Sequence, residues 1–562
     1  MDSFPPVLIM LAGAVVVLFL PGTARPWAFL VAPVVVLAQL LFWLEQGDTT
    51  TIEVFSGVLE LTPLMVDNLN EIWATVFSLV VIGGGLFALH LRAPGFQEKG
   101  QQAASLAYAG SAFGVILAGD LLTVVIFWEL MAVTSLYLII SGNRPNSHAA
   151  AMRYLFVHVV GGSALLGGVL IQAVETGSLA FEPFDGGLAS WLAMFGILVN
   201  AASFPLHAWL SDAYPESSPT GMVFLGALTT KTAVYVLLRG FVGDELLLLV
   251  GGVTAVYAGV YALFQNDIRR LLAYHIISQV GFMVAAVGIS TFAGVESVAE
   301  QVFTHVLWQA VMVMGVGAVM YSTGVTKLTE LGGLPTQLRP ILILYMVGAL
   351  SIAVFPVLHG LGAESIYVGH TWVVVLLTVA SIATVMAVAI KLPYHVFIAA
   401  KADSPQSTRV PNGMLAAMAI GAALSLWVGI HPSSLFDVLQ LHLEPEAFHL
   451  SGVLFGFAVL AVSAAGGWFL LRAMPLRENV TLDVDWLYRY AEASMRVLIQ
   501  QPLDWVFTTA QRATSWVAST ASRFALTPPT TGANLVGRPP LGLAVAVVFL
   551  TFVVLVLLTH IV

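Results

Sequence analysis

The chain is 562 residues long, 59% apolar and 9% charged, with a formal net charge of -10 and no cysteine, and its mean hydropathy is +0.92. Soluble domains carry roughly 25% charged residues, so this composition excludes a soluble globular protein and describes a polytopic membrane protein. Without cysteine there can be no disulfide, thiolate metal site or Cys-held iron–sulfur cluster. The acidic charge is spread over loops, with no basic stripe to meet nucleic acid.

Apolar runs long enough to cross about 30 Å of hydrocarbon fall at 4–21, 26–44, 70–91, 102–119, 121–141, 150–174, 187–207, 218–239, 245–265, 270–290, 298–321, 339–358, 371–398, 412–430, 451–472 and 541–561. The expected fold is therefore all-α, with about sixteen transmembrane helices. The opening stretch MDSFPPVLIM lacks a positive n-region, so its apolar run is expected to stay in the mature protein. Fifty glycines and 26 prolines suit helices that pack closely or break.

Alternate threading of these spans puts Arg25, Arg92, Lys99, Arg144, Arg269, Arg270, Lys327, Arg339, Lys401 and Arg409 on one side, with the basic residues of 472–538. Only Arg239 falls in a loop opposite, among Glu53, Glu60, Asp67, Glu175, Glu182, Asp185, Glu296, Asp437, Glu444 and Glu446. By the positive-inside rule both termini then face away from the cytoplasm.

Two spans carry an internal Phe-Pro soon followed by His: NAASFPLHAWL in the seventh, with Pro205 and His207, and AVFPVLHGLGAES in the twelfth, with Pro356 and Gly360. Proline removes a helical hydrogen bond, so both helices are expected to break there. Broken helices at corresponding places in two halves point to an ion or substrate site in a transporter built of inverted repeats. The halves are five helices each, 101–240 (helices 4–8) and 241–400 (helices 9–13), and an odd number gives them opposite orientation. Residues 1–100 hold helices 1–3 with an outside loop, and 401–475 hold helices 14 and 15. Segment 476–540 reads as an amphipathic stretch on the cytoplasmic surface followed by a Pro- and Gly-rich tether, and 541–562 is the last span.

Ionisable groups inside the spans are Glu129, His158, Lys231, His275, His305, Glu364 and Lys391. A charge at the centre of a bilayer costs roughly 2.5–3.5 kcal/mol by insertion scales, so each needs a reason. Glu129 and Glu364 balance Lys231 and Lys391. Such a series through the membrane is what a proton relay requires, because each group binds and releases H+ while opposite charges keep it titratable. Taken singly, a buried His is more often a hydrogen-bonded core residue, and Lys391 could snorkel from a helix end. Haem or copper ligation is disfavoured because His158, His275 and His305 each stand alone on their helices. No G-x-S-x-G, H-E-x-x-H or P-loop is present, so no catalytic motif and no cofactor is expected.

The block FPLHAWLSDAYPESSPTGMVFLGALTTKTAVYVLLR at 204–239 resembles the signature of the antiporter-like, proton-translocating membrane subunits shared by Mrp-type Na+/H+ antiporters and respiratory complex I. GDLLTVVIFWELMAVTSLYLI (119–139), NDIRRLLAYHIISQVGF (266–282), HVLWQAVMVMGVGAVM (305–320) and LTELGGLP (328–335) support the likeness, which covers about 60–430; LDVDWLYR is most similar to the D-type subunits of Mrp antiporters. The resemblance implies two inverted repeats with broken helices seven and twelve, a bacterial-type inner (plasma) membrane, and other membrane subunits as partners alongside the lipid bilayer, protons and Na+.

Matched by motif, Glu129 is the family's glutamate of helix five, Lys231 its central lysine of helix eight, and Glu364 stands just after the break of helix twelve. Asn200 and Gln309 replace lysines usual in the family, removing the glutamate's partner and shortening the titratable chain. The expected function is a proton- and cation-translocating subunit of a Mrp-type antiporter complex, with protons passing among Glu129, Lys231, Asn200, His305, Gln309 and Glu364 or Lys391. The alternatives are a complex I-like or bicarbonate-uptake subunit that passes protons to energise a partner, and a non-conducting scaffold.

Overall fold

In hydrocarbon a backbone can satisfy its N–H and C=O groups only within itself, so apolar runs of this length become helices. The computed structural model describes residues 5–54, 59–89, 99–289, 292–334, 338–352, 371–399, 405–431, 450–473, 476, 483–486 and 489. The expected break of helix twelve, with Pro356, Gly360 and Glu364, and the last span lie outside the described residues.

In chain order the helices are α1 (Pro6–Phe19), α2 (Arg25–Phe42), α3 (Asn68–Ala88), α4 (Lys99–Ile116), α5 (Leu121–Ile140), α6 (Ser147–Thr176), α7 (Gly187–Asn200), α8 (Ala208–Ala213), α9 (Pro219–Ala227), α10 (Thr229–Gly240), α11 (Glu245–Phe264), α12 (Ile268–Val287), α13 (Phe292–Thr323), α14 (Arg339–Ser351), α15 (Thr371–Val385), α16 (Asn412–Ile430) and α17 (Leu450–Ala473). Strands β1 (Thr49–Val54) and β2 (Leu59–Met65), which hydrophobic run length does not foretell, pair between α2 and α3. Among the described residues eleven helical stretches are long and apolar enough to cross a bilayer. Two compact units are present: one holds Met1–Ile52 with Leu61–Asp485, the other Glu53–Glu60 with Trp486–Val562.

Burial is graded across the first unit. The most apolar 18-residue windows of Pro219–Gly240 and Val298–Thr323 are 100% buried, whereas only 22% of that of Leu454–Ala473 is. Helices α9, α10, α12 and α13 thus form the interior, and the helices at the edges present apolar side chains outward, as a lipid-facing rim requires. Close approach in the interior depends on glycine. A Cβ on Gly251 of α11 would stand 2.2 Å from the Ala285 nitrogen of α12, and one on Gly281 of α12 would stand 2.5 Å from the Ala255 nitrogen of α11. Small residues at helix crossings let backbones touch where lipid supplies no hydrophobic drive.

Two antiparallel bridges recur in one register. Asp120 pairs with Ala180 and Asp267 with Lys327, each across sixty residues. In the first, the Leu121 nitrogen donates to the Leu179 carbonyl and the Phe181 nitrogen to the Gly119 carbonyl; in the second, Ile268 donates to Thr326 and Leu328 to Asn266. Each aspartate also caps the helix it precedes: Asp120 accepts from the Thr123 nitrogen of α5, and Asp267 from the Arg269 and Arg270 nitrogens of α12. Asn266 and Thr329 are joined through side chain and backbone, so two of the sequence motifs, NDIRR and LTELGG, dock on each other. On the acidic side Arg239, alone among the basic residues there by threading, pairs with Asp67 at the start of α3.

Replacing Gly281 by Val is expected to force α12 off α11. Overpacking of this kind costs about 1–3 kcal/mol, to be read as a lower melting temperature of the detergent-solubilised protein, with an equal change at exposed Gly22 as control.

Candidate functional site

The polar interior is built where helices stop short. Helix α7 ends at Asn200, the chain turns through residues 201–207, with Ala202 at φ +52°, and α8 resumes at Ala208. The break places Pro205 where its missing N–H costs nothing, and the freed backbone groups find partners from other elements. The Phe204 nitrogen donates to Thr254 of α11 at 2.9 Å, and the Trp209 indole to the Val199 carbonyl at 2.8 Å. Arg269 of α12, fully buried, caps the far end by donating to the Ser217 and Ser218 carbonyls at 2.6 and 3.1 Å. A buried bidentate pair, Arg153 to Asp212 at 2.7 and 3.0 Å, fixes α8 to α6.

A second interruption falls at Leu228, between α9 and α10. Here the Thr229 nitrogen turns to the Tyr108 hydroxyl at 3.0 Å, and the Gly226 carbonyl accepts from Lys231 Nζ at 2.9 Å. Lys231 also donates to Gln309 Oε1 of α13 at 2.8 Å. Its ammonium is fully buried, and what repays that burial is one carbonyl released by the helix irregularity and one side-chain amide. Gln309 stands where the family resemblance expects lysine. The neutral amide gives the ammonium an acceptor, where a second ammonium at 2.8 Å would repel it. The imidazoles of His275 on α12 and His305 on α13 lie 5.5 Å apart, centroid to centroid, within reach of the Lys231 charge.

Glu129, His158 and Lys391, the other described ionisable residues expected from the apolar runs, have surroundings of their own. Glu129 is half-buried and lies directly over Gly162 of α6. It makes no ion pair with Lys231, whose donors go to Gly226 and Gln309. His158 has a core setting: Nδ1 faces the Tyr154 carbonyl at 2.9 Å, and the ring stacks on Tyr154 and meets Trp209 edge-on. Lys391 ends a π-helical stretch, Met386–Lys391, and donates to the Leu263 and Gln265 carbonyls, each at 2.6 Å. It thereby caps the C-terminus of α11, where a cation meets both orphan carbonyls and the helix dipole.

Several buried polar atoms along this interior have no hydrogen-bonding partner among the described residues: Nε2 of His158, both amide atoms of Asn200, the hydroxyls of Ser203, Thr230 and Thr232, and both ring nitrogens of His275 and His305. Each such atom costs about 1–3 kcal/mol if left dry. Native interiors keep few of them, and buried water is the usual remedy.

Two members of the site escape sequence reasoning. Asp483, in LDVDWLYR, is buried against the α7 break, with His207 Nε2 at 3.2 Å from Oδ1, the Tyr257 hydroxyl donating at 2.8 Å and the Tyr274 hydroxyl donating to Oδ2. Burial alone would push this carboxyl up; His207 and the two hydroxyls outweigh it and hold the carboxyl well below its ordinary range. LDVDWLYR signals the family by its pattern, and nothing in its spacing tells that it folds back into the bundle. Arg153 escapes for another reason: it sits nearly two turns inside α6 and its partner is 59 residues away.

Together these features define a class: a helical membrane protein whose buried core carries a line of ionisable and amide groups at helix interruptions. Residues 118–391 match the family model described as NADH:quinone oxidoreductase/Mrp antiporter, TM, and this part of the chain belongs to the antiporter-like membrane-subunit family that the model describes. Among curated proteins it is 28% identical over 370 residues to F(420)H(2) dehydrogenase subunit M of Methanosarcina mazei (59% of this chain, 74% of that one). It is also 28% identical over 267 residues to the D-type subunit of the Na(+)/H(+) antiporter of Alkalihalophilus pseudofirmus (44% of this chain, 54% of that one). Its fold is similar to a chain of the Mrp complex from Dietzia sp. DQ12-45-1b, with TM-score 0.65 and 18% identity, covering 83% of this chain and 97% of that one. It is likewise similar to a chain of respiratory complex I from Thermus thermophilus, with TM-score 0.65 and 22% identity, covering 77% and 99%.

Replacing Arg153 by Met would remove the bidentate partner of the Asp212 carboxylate, and breaking a buried pair costs about 3–5 kcal/mol. The double variant Arg153→Met/Asp212→Leu is expected to recover most of that stability, as measured by thermal unfolding in detergent.

Proposed function

We propose that this chain is a proton- and cation-translocating subunit of a multisubunit Mrp-type cation/proton antiporter complex. The observation that carries the reading is Lys231: a fully buried lysine, held by one carbonyl and one neutral amide, beside two imidazoles whose nitrogens have no hydrogen-bonding partner among the described residues. Among the described residues no carboxylate pairs with this ammonium, and both of its acceptors are neutral. The unpartnered atoms of Asn200, Ser203, Thr230, Thr232, His275 and His305 supply bonding sites for a water file through which protons reach and leave it. Glu129 serves as a proton-binding group at the edge of this file and Lys391 at the end of α11, with Glu364 toward the non-cytoplasmic exit.

The architecture behind this reading is sixteen spans, with inverted repeats over 101–240 and 241–400. The recurrence of one bridge register, an aspartate-capped helix start tied to a strand-like segment sixty residues on, supports the repeat. The break after Asn200 supports a site at a discontinuous helix. The likeness to the D-type Na(+)/H(+) antiporter subunit favours the Mrp assembly. The longer match to F(420)H(2) dehydrogenase subunit M favours a second reading, a complex I-like assembly in which a redox partner drives the same proton path. Subunits co-purifying in detergent, identified by mass spectrometry, separate the two.

In membrane vesicles containing the assembled complex, Lys231→Ala is expected to abolish cation- or ΔpH-dependent proton flux, and Glu129→Gln to reduce it strongly. Wild-type flux in Lys231→Ala would reject the route; absence of flux in the wild-type complex would leave the chain a scaffold.

A further inference from the structure

A small polar cavity lies where four helices begin or end. Gln101, Gln102 and Ser105 of α4 and Thr220 of α9 line it, with Phe29 of α2, Phe224 of α9 and the end of α3 at Ala88, and its volume is about 10 Å³. That is the room a single water needs.

The polar groups of the cavity are short of donors. Gln101 is 3% exposed; its Nε2 donates to the Ser218 hydroxyl at 2.8 Å and to the Thr220 hydroxyl, while its Oε1 has no hydrogen-bonding partner among the described residues. The Oε1 of Gln102 is buried and unpartnered in the same way. The Ser105 hydroxyl spends its hydrogen on the Gln101 carbonyl at 2.8 Å, so its oxygen is left as an acceptor. An acceptor left dry costs about 1–3 kcal/mol. None of the lining residues is ionisable, so the occupant that fits is small, neutral and a donor: water.

The cavity stands between the basic-residue side and the core. Helices α2 and α4 start at Arg25 and Lys99, on the side where threading gathers the basic residues. Toward the core, Gln101, Ser105 and Tyr108 follow at i, i+4 and i+7 on one face of α4, all buried, over a rise of about 10 Å. The Tyr108 oxygen accepts from the Thr229 nitrogen at 3.0 Å and lies 2.6 Å from the Thr229 hydroxyl. Thr229 opens α10, two residues before Lys231.

We propose that this cavity is a water-binding inlet through which protons from the basic-residue side reach Tyr108, whose hydroxyl passes them to Thr229 and so toward Lys231. Each hydroxyl gives up one hydrogen as it takes another, and both stay neutral. The inference rests on the translocation reading above.

Bound water can be detected without transport, because X-ray radiolysis splits it in place and oxidises the side chains beside it. Phe29 and Phe224 line the cavity and are 3% and 2% exposed; Phe77 and Phe113, which pack on each other and do not line it, are 0% exposed. In the solubilised complex, oxidation of Phe29 and Phe224 is expected to be several-fold above that of Phe77 and Phe113, and to be lost in Gln102→Leu. Equal oxidation of all four in the wild type overturns the proposal. In vesicles carrying the whole complex, Tyr108→Phe keeps the ring and removes the hydroxyl, so proton flux is expected to fall at least about tenfold with the oxidation of Phe29 and Phe224 unchanged. A purely structural role would disturb both readings together. Wild-type flux in Tyr108→Phe, in vesicles where Lys231→Ala abolishes it, overturns the relay. Should Tyr108→Phe fail to assemble, Gln102→Leu takes its place: loss of oxidation and flux together supports the inlet, and wild-type flux without that oxidation overturns it. Retained flux in Lys231→Ala is the distinct result that removes the translocation reading and the relay with it, and oxidation alone then decides the water site.

Discussion

The burial of one ammonium sets the terms for the rest of the molecule. Lys231 is fully buried, and its charge is tolerated because the helix is interrupted at Leu228. A regular helix would have spent its carbonyls on its own ladder; the irregular one leaves the Gly226 carbonyl for Nζ. Gln309 supplies the second acceptor from α13. Among the described residues the charge is therefore held by dipoles alone.

The same device recurs. At the α7 break, Thr254, Trp209 and Arg269 satisfy the backbone groups that the interruption releases. In the π-helical stretch before Lys391, the Tyr345 hydroxyl bonds the Val388 carbonyl at 2.8 Å. Each irregular segment is braced by a side chain from another helix, as membrane interiors demand. The polar groups so gathered are laid across α6, α7, α10, α12 and α13, and the close glycine contacts of α11 and α12 keep those helices near enough to share them.

Much of the site was legible in the chain. Lys231, Glu129, His275 and His305 announce themselves as ionisable residues in apolar runs, and the Phe-Pro at 204–205 announces the end of α7. Expected partners were less legible. Glu129 and Lys231 balance in sign, yet Glu129 lies on Gly162 and Lys231 bonds to Gln309, because pairing depends on which helix faces which and charge balance does not record that. His158 and Lys391 show the same limit: one is a stacked core ring and the other a helix cap. Bonds such as Asp483 to Tyr257, 226 residues apart, leave no periodicity to read.

By itself the sequence determined the helical class, the presence of many helices long and apolar enough to cross a membrane, and the end of α7 before its Phe-Pro, because hydrophobic run length and proline chemistry are local properties that every fold must obey. The tertiary structure decided which buried charge meets which partner, that Gln309 is an acceptor for Lys231, and that a segment after α17 reaches the α7 break. Those outcomes turn on distances of about 3 Å between groups far apart in the chain, and only the packing of all the helices fixes them.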